Sequence, residues 1–166
     1  MKENTNIATL AEKPLPESDG PQKFRVDRIL APTDFSPHSE KAVAYAIQFA
    51  RRLGAKLTLL HVVPDPSAAD YSMEGLALQD IQGWEEEAEK KLADILARAK
   101  LEYREVEALK VNARHPREKI VRAVTDLSAD LLVISTQGYT GWKHLLFGSD
   151  AEKIVEHAPC PTLVVR

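Results

Sequence analysis

Leu57 to Val63 reads Leu-Thr-Leu-Leu-His-Val-Val, and no other stretch narrows the fold so sharply. A strand with one wet face alternates apolar and polar residues, so a nearly unbroken apolar run implies a strand covered on both sides. Strands of that kind belong to parallel sheets, whose neighbours need long crossover connections, usually helices. The rest of the chain supplies both components. Arg25 to Ala31, with Val26, Ile29 and Leu30, reads as a first strand ending at Pro32-Thr33-Asp34, and Tyr103 to Val111 as a third with imperfect alternation. Leu131 to Ser135 and Thr162 to Val165 complete the set.

Helical periods fill the intervals. Ser36 offers an N-cap, Pro37 suits a first turn, Val43, Ala46, Ile47, Ala50 and Leu53 form a stripe, and Gly54 is a stop. From Leu78 to Lys100, Ile81, Trp84, Ala88, Leu92, Ile95 and Ala99 step by three and four, leaving Glu85, Glu86, Glu87, Glu89, Lys90 and Lys91 toward water. His115-Pro116 opens a helix with Ile120, Val121, Val124 and Leu127 on one side, and Ser149 to His157 is a last helix closed by Ala158-Pro159. Pro64-Asp65-Pro66-Ser67 begins a loop to about Gly75 of a length that often covers a site. Strict alternation of strand and helix predicts an α/β fold, a parallel sheet with helices on both faces. Ligands of such sheets bind beyond the carboxyl ends of the strands, where the winding reverses. With strands one and four flanking that point, Asp34 and the Ser135–Ser149 loop meet there.

Composition restricts the class of partner. The 166 residues suit one domain, with 44% hydrophobic and 28% charged side chains. A formal charge of −3, from 22 Lys and Arg against 25 Asp and Glu without a basic block, argues against nucleic acid. Gly138-Tyr139-Thr140-Gly141 has the spacing of the KH-domain loop, but that loop joins two helices and this one follows a strand. Residues 1–23 read as a flexible tail and 24–166 as the domain; Ile7 to Leu10 is too short for a signal peptide's apolar region of about 7–15 residues. A cytoplasmic protein without membrane contact is expected. The single cysteine, Cys160 between two prolines, fits a reducing compartment and reads as a small apolar side chain.

The chemistry concentrates in Ser135-Thr136-Gln137-Gly138, nine further residues, and Gly148-Ser149. Glycines allow backbone to approach a ligand, and a helix starting at Ser149 would turn free N–H groups and its positive dipole end toward the loop, an arrangement suited to phosphate. Tight turns alone would account for the same glycines. Lys143 and His144 offer positive charge there or are solvated, and Tyr139 and Trp142 offer a lid or a packing surface. His61 reads as a hydrogen-bonded sheet residue, and His115 and His157 as helix-end residues.

Taken together, Val26–Pro32-Thr33-Asp34-Phe35-Ser36, Leu59-Leu60-His61-Val62-Val63, Ser135–Gly138, Gly148-Ser149 and His157–Val165 resemble the universal stress protein family over about residues 24 to 166. The resemblance implies a five-stranded parallel sheet of order 3-2-1-4-5, Rossmann-like and of the adenine nucleotide alpha hydrolase-like type, and homodimers. In some subfamilies ATP is bound through Gly-x2-Gly-x9-Gly-Ser/Thr. Carried over, Pro32, Thr33 and Asp34 lie at the nucleoside end, with Asp34 in contact. Val62 meets the adenine edge through its backbone, and Ile134 is an apolar neighbour of the base. Ser135, Gly138, Gly148 and Ser149 form the phosphate loop, with Asp150 adding a backbone N–H.

Two positions depart from that pattern. Ser135 replaces the first glycine, and its Cβ hinders if the site needs positive φ there. Asp150 brings a carboxylate toward phosphate: at about 6 Å the repulsion is roughly 0.7 kcal/mol in water and roughly 3 kcal/mol at an effective dielectric of 20. A helix terminus contributes about 0.3–1, up to ~2 kcal/mol, so the direction of Asp150 decides the sign. Two readings follow. One is an ATP-binding regulatory module of the stress response, with magnesium as the nucleotide's companion ion. The other is a non-nucleotide member acting through protein contacts. Neither Gly-x4-Gly-Lys-Ser/Thr nor Gly-x-Ser-x-Gly occurs, so at most slow ATP hydrolysis or phosphate transfer to Ser149 is expected. Thr162–Val165, read as a sheet edge, is the expected dimer contact.

Overall fold

The computed structural model describes residues 25–64, 78–135 and 149–166. Its nine elements are β1 (Arg28–Pro32), α1 (Pro37–Leu53), β2 (Lys56–Pro64), α2 (Leu78–Glu102), β3 (Val106–Ala113), α3 (Pro116–Asp126), β4 (Leu131–Ser135), α4 (Ser149–His157) and β5 (Thr162–Val165). All strand pairs are parallel and the sheet runs β3-β2-β1-β4-β5, the order the resemblance implies. The tail, most of the loop after Pro64 and the glycine loop lie outside the described residues.

Alternation along each strand sorts side chains into two cores. Ile29, Ala31, Leu57, Leu59 and Val133 pack under α1 and α2 with Ala46, Ala50, Leu92, Ile95 and Ala99. Leu30, Leu60, Val62, Leu132 and Ile134 pack under α3 and α4 with Ala123, Val124 and Ile154. Leu57, Leu59, Leu60, Leu132 and Val133 are sealed from solvent, as their apolar run requires.

The helix punctuation follows the sequence closely. Ser36 is extended at φ −73° and its hydroxyl accepts from the Ser39 amide, while Pro37 occupies the first turn. Gly54 closes α1 at φ +70°, where a Cβ would be strained. His157 Nδ1 bonds the Lys153 carbonyl at 2.8 Å at the end of α4, whereas His115 precedes α3 without any side-chain cap bond.

Several boundaries differ from expectation, each for a local reason. β1 starts at Arg28 rather than Arg25, opposite Lys56 where β2 begins, and the Asp27 and Arg28 amides are held by Asp130 Oδ2, at 2.8 and 2.9 Å. β3 starts at Val106 rather than Tyr103, since α2 continues to Glu102 and the Tyr103 amide still bonds Ala99. Leu53 and Trp84, counted on buried stripes, are exposed. Leu53 is the last residue of α1, next to the Gly54 cap.

The two sheet edges are treated differently. On β3, Lys110 Nζ pairs with Glu89 at 2.9 Å and Asn112 Nδ2 donates to Glu85 at 2.7 Å, so α2 side chains fasten onto that edge. β5 is the opposite edge, with Val164 exposed on it and Val155 of α4 exposed on the preceding helix.

The burial pattern sets an expectation for truncations. Leu132→Ala should lower unfolding free energy by about 2–5 kcal/mol, and Leu101→Ala, whose side chain is 89% exposed, should stay within about 0.5 kcal/mol, both read from urea denaturation.

Candidate functional site

The central strand changes behaviour at its carboxyl end. The β1–β4 pairing covers Ile29–Leu131 and Leu30–Leu132 and stops, while β1–β2 continues to Pro32–Leu60. Arg28 O accepts from the Asp130 amide on the β4 side, and the Thr33 amide donates to Leu60 O, 2.8 Å away on the β2 side. Successive residues of a strand face opposite neighbours, so Pro32 faces β4 and has no N–H to give it. β1 and β4 therefore part where β2 and β4 run on, opening a notch flanked by strands about 10 Å apart, two inter-strand spacings.

Six of the residues singled out in the sequence border this notch. Pro32 and Ile134 share the α3–α4 face with Val62, while Ser135 lies on the other face, paired with Val165. Val62 stands past the last β1–β2 rung, and its backbone groups point to the β1 side, since Leu60, two residues earlier, gives its carbonyl to the Thr33 amide there. Asp34 follows Thr33 at the mouth and is exposed. Gly138 and Gly148 fall outside the described residues. Ser149 and Asp150 open α4 as expected, so the amino end of that helix directly follows Gly148.

Hydrogen bonds hold the turn from Thr33 to Ser36. Asp34 Oδ1 accepts from the Ser36 amide at 3.0 Å, and Thr33 Oγ1 accepts from the Phe35 amide at 3.1 Å. Ser39 Oγ gathers three contacts: the Ser36 carbonyl at 3.0 Å, the Asp34 amide at 3.3 Å and Thr33 Oγ1 at 3.1 Å. One proton assignment satisfies them all. The Ser39 hydroxyl donates to the Ser36 carbonyl and accepts from the Asp34 amide and the Thr33 hydroxyl. Ser39 is not among the residues the sequence reading singled out; the signal available was its place one turn into α1, with Thr33, Asp34 and Ser36 just upstream.

His61 reaches the same turn from β2. Its Nδ1 lies 2.8 Å from the Thr33 carbonyl, and its ring centroid is 4.1 Å from that of Phe35. A carbonyl only accepts, so Nδ1 carries the hydrogen. Burial pushes the imidazole below its ordinary 6.5, outweighing the Thr33 bond and nearby Asp34, which favour the charged form; Lys110 and Lys91 reinforce the effect of burial. This is the sheet role expected of it.

Other chemistry is already matched. A groove of about 250 Å³ at the opposite, amino end of the strands contains Arg28, Lys56, Thr58 and Glu107. There Lys56 lies 2.6 Å from Glu107 and holds its carboxyl below the usual range, and Arg28 donates to the Leu127 carbonyl. Cys160 packs partly buried against the α3–α4 core, and burial pushes its thiol up. Among the described residues no group of three or more His, Cys, Asp or Glu is placed to hold a metal ion, and no helix is long and apolar enough to cross a membrane.

The model of the universal stress protein family matches residues 25–166, the entire span from the first strand onward. The chain belongs to the universal stress protein family. Among relatives of this stress protein, the universal stress protein in the QAH/OAS sulfhydrylase 3′ region of Thermus aquaticus is 37% identical over 139 residues, covering 83% of this chain and 97% of that one. Among solved structures, the protein MJ0577 superposes with a TM-score of 0.70 at 28% identity, covering 84% of this chain and 95% of its own. Two other universal stress proteins share the fold: one solved with cAMP (TM-score 0.65, 22% identity, 85% and 97% covered), and one from Archaeoglobus fulgidus solved with dAMP (0.61, 20%, 86% and 99%).

The depressed histidine sets a pH dependence. Below 6.5 the unfolded chain takes up a proton at His61 that the folded chain resists, so stability is lost as pH falls from 6.5 through the lower folded-state value. Urea titrations from pH 7.5 to 5 should show this slope in the native protein and a shallower one in His61→Asn.

Proposed function

We propose that this universal stress protein is a cytoplasmic, nucleotide-binding regulatory module of the stress response that holds ATP in the notch beyond β1 and β4. The observation that carries the reading is the parting of those strands at Pro32, with Asp34 at the mouth and the amino end of α4 following Gly148. Related structures containing cAMP and dAMP support an adenine nucleotide. In this reading Asp34 contacts the nucleoside, with Pro32 and Thr33 beneath it. The Val62 backbone and the Ile134 side chain border the base, and Ser135, Gly138, Gly148, Ser149 and the Asp150 amide receive the phosphates. Magnesium enters with the triphosphate. Turnover is at most slow, so the bound nucleotide acts as a signal rather than a fuel.

Titration calorimetry with ATP and magnesium tests this directly. Asp34→Asn should weaken binding by about tenfold or more, the effect of losing a charged hydrogen-bond partner. Asp150→Val should tighten it if that carboxylate faces phosphate. Ser135 and Asp150 favour the second reading, a member acting through protein contacts alone, and absence of ATP binding at millimolar concentration would establish that reading in place of the first.

The same proposal includes a homodimer through β5, supported by the exposed Val164 on that edge. Sedimentation equilibrium at micromolar protein should give twice the 18.5 kDa chain mass, and Val164→Lys should shift it toward the monomer.

A further inference from the structure

Three facts about the end of β1 fit together only through His61. First, the β1–β2 ladder stops at Pro32–Leu60, although β2 continues through His61, Val62, Val63 and Pro64. The next rung of a parallel ladder would join the Thr33 carbonyl to the Val62 amide, since Thr33 already donates to Leu60 and Val62 faces the same side. Second, the Thr33 carbonyl is instead bonded by His61 Nδ1 at 2.8 Å, a side-chain donor standing in for the backbone amide. Third, the chain turns immediately afterward through Phe35 at φ +64°, a left-handed conformation that bulky residues rarely adopt. The Phe35 ring rests on the His61 ring at a 34° tilt, with Lys91 Nζ 5.9 Å above it, so the contact that captures the carbonyl also supports the strained residue.

We propose that His61 is a positioning residue for nucleoside recognition: by capturing the Thr33 carbonyl it ends the β1–β2 ladder one rung early, leaving the Val62 backbone edge facing the notch and fixing the turn that presents Asp34. The inference rests on the nucleotide reading for its consequence, but not for its structural content. An adenine ring offers a donor and an acceptor side by side, and a strand residue whose N–H and C=O both face the notch matches that pair; a ladder extended by one rung would consume the N–H. Burial holds the imidazole neutral, so the Nδ1 hydrogen stays directed at Thr33. Asp34 faces the ring from the turn, Lys110 from β3 and Lys91 from α2, and neither lysine favours an added proton.

The test uses the full chain with His61→Leu, which removes the donor, and His61→Asn, whose side-chain amide nitrogen occupies nearly the place of Nδ1. Amide hydrogen exchange without nucleotide should show Val62 at least tenfold slower in His61→Leu, as it takes over the Thr33 carbonyl, with the Phe35 and Ser36 amides faster and His61→Asn close to the native protein. ATP affinity should fall about tenfold in His61→Leu and recover in His61→Asn. If His61→Leu does not fold, His61→Gln, which carries the donor one methylene too far, replaces it. Unchanged Val62, Phe35 and Ser36 exchange in a folded variant would overturn the structural claim, and altered exchange with unchanged ATP affinity would overturn its role in recognition. Native protein that binds no ATP yet shows the exchange changes would reject the nucleotide reading while keeping His61 as the residue that ends the ladder.

Discussion

The structure depends on the backbone of one short strand. β1 lies at the middle of the sheet, and its five residues join the β2–β3 half to the β4–β5 half. Its apolar side chains alternate between two cores and tie both helical layers together, Ile29 and Ala31 to one and Leu30 to the other. Its hydrogen bonds end unevenly, first on the β4 side at Leu30 and then on the β2 side at Pro32. Proline enforces the first ending because it cannot donate. The uneven ending makes the notch.

Next to that ending, hydroxyl and carboxylate groups replace the ladder as partners for the backbone. Thr33, Asp34, Ser36 and Ser39 use short side chains to bond the amides of Asp34, Phe35, Ser36 and Ser39. Buried main-chain groups must find partners when a strand stops inside a protein, and short polar side chains meet that need without filling the space. A turn over-determined in this way can hold Phe35 in a conformation that an isolated chain would avoid.

Much of this was legible beforehand, for identifiable reasons. The continuous apolar run of β2, the serine and proline before α1 and the glycine after it each have one physical meaning, and each appears where it was read. The sheet order came from the family resemblance, since periodicity alone does not say which strands are neighbours. What escaped reading depends on partners distant in the chain. The start of β1 is braced by Asp130, a hundred residues away, and Leu53 and Trp84 are exposed although they fall on apolar stripes. Of the candidate site, Asp34, Val62 and Ile134 are proposed from the family motif, and the fold brings them to the same end of the sheet. Ser39 and the reach of His61 to Thr33 were not legible, because a hydroxyl within a helix and a histidine within a strand have many possible partners until the fold chooses one.

The unlike edges of the sheet have a consequence for assembly. With Lys110 and Asn112 of β3 clasped by Glu89 and Glu85, one margin is guarded by charge, while among the described residues the other, at β5, exposes Val164. A tile with one mating side can join a twin but cannot start a row. In the proposed dimer, growth by strand addition ends at a closed pair, because the carboxylates of α2 guard the far margin.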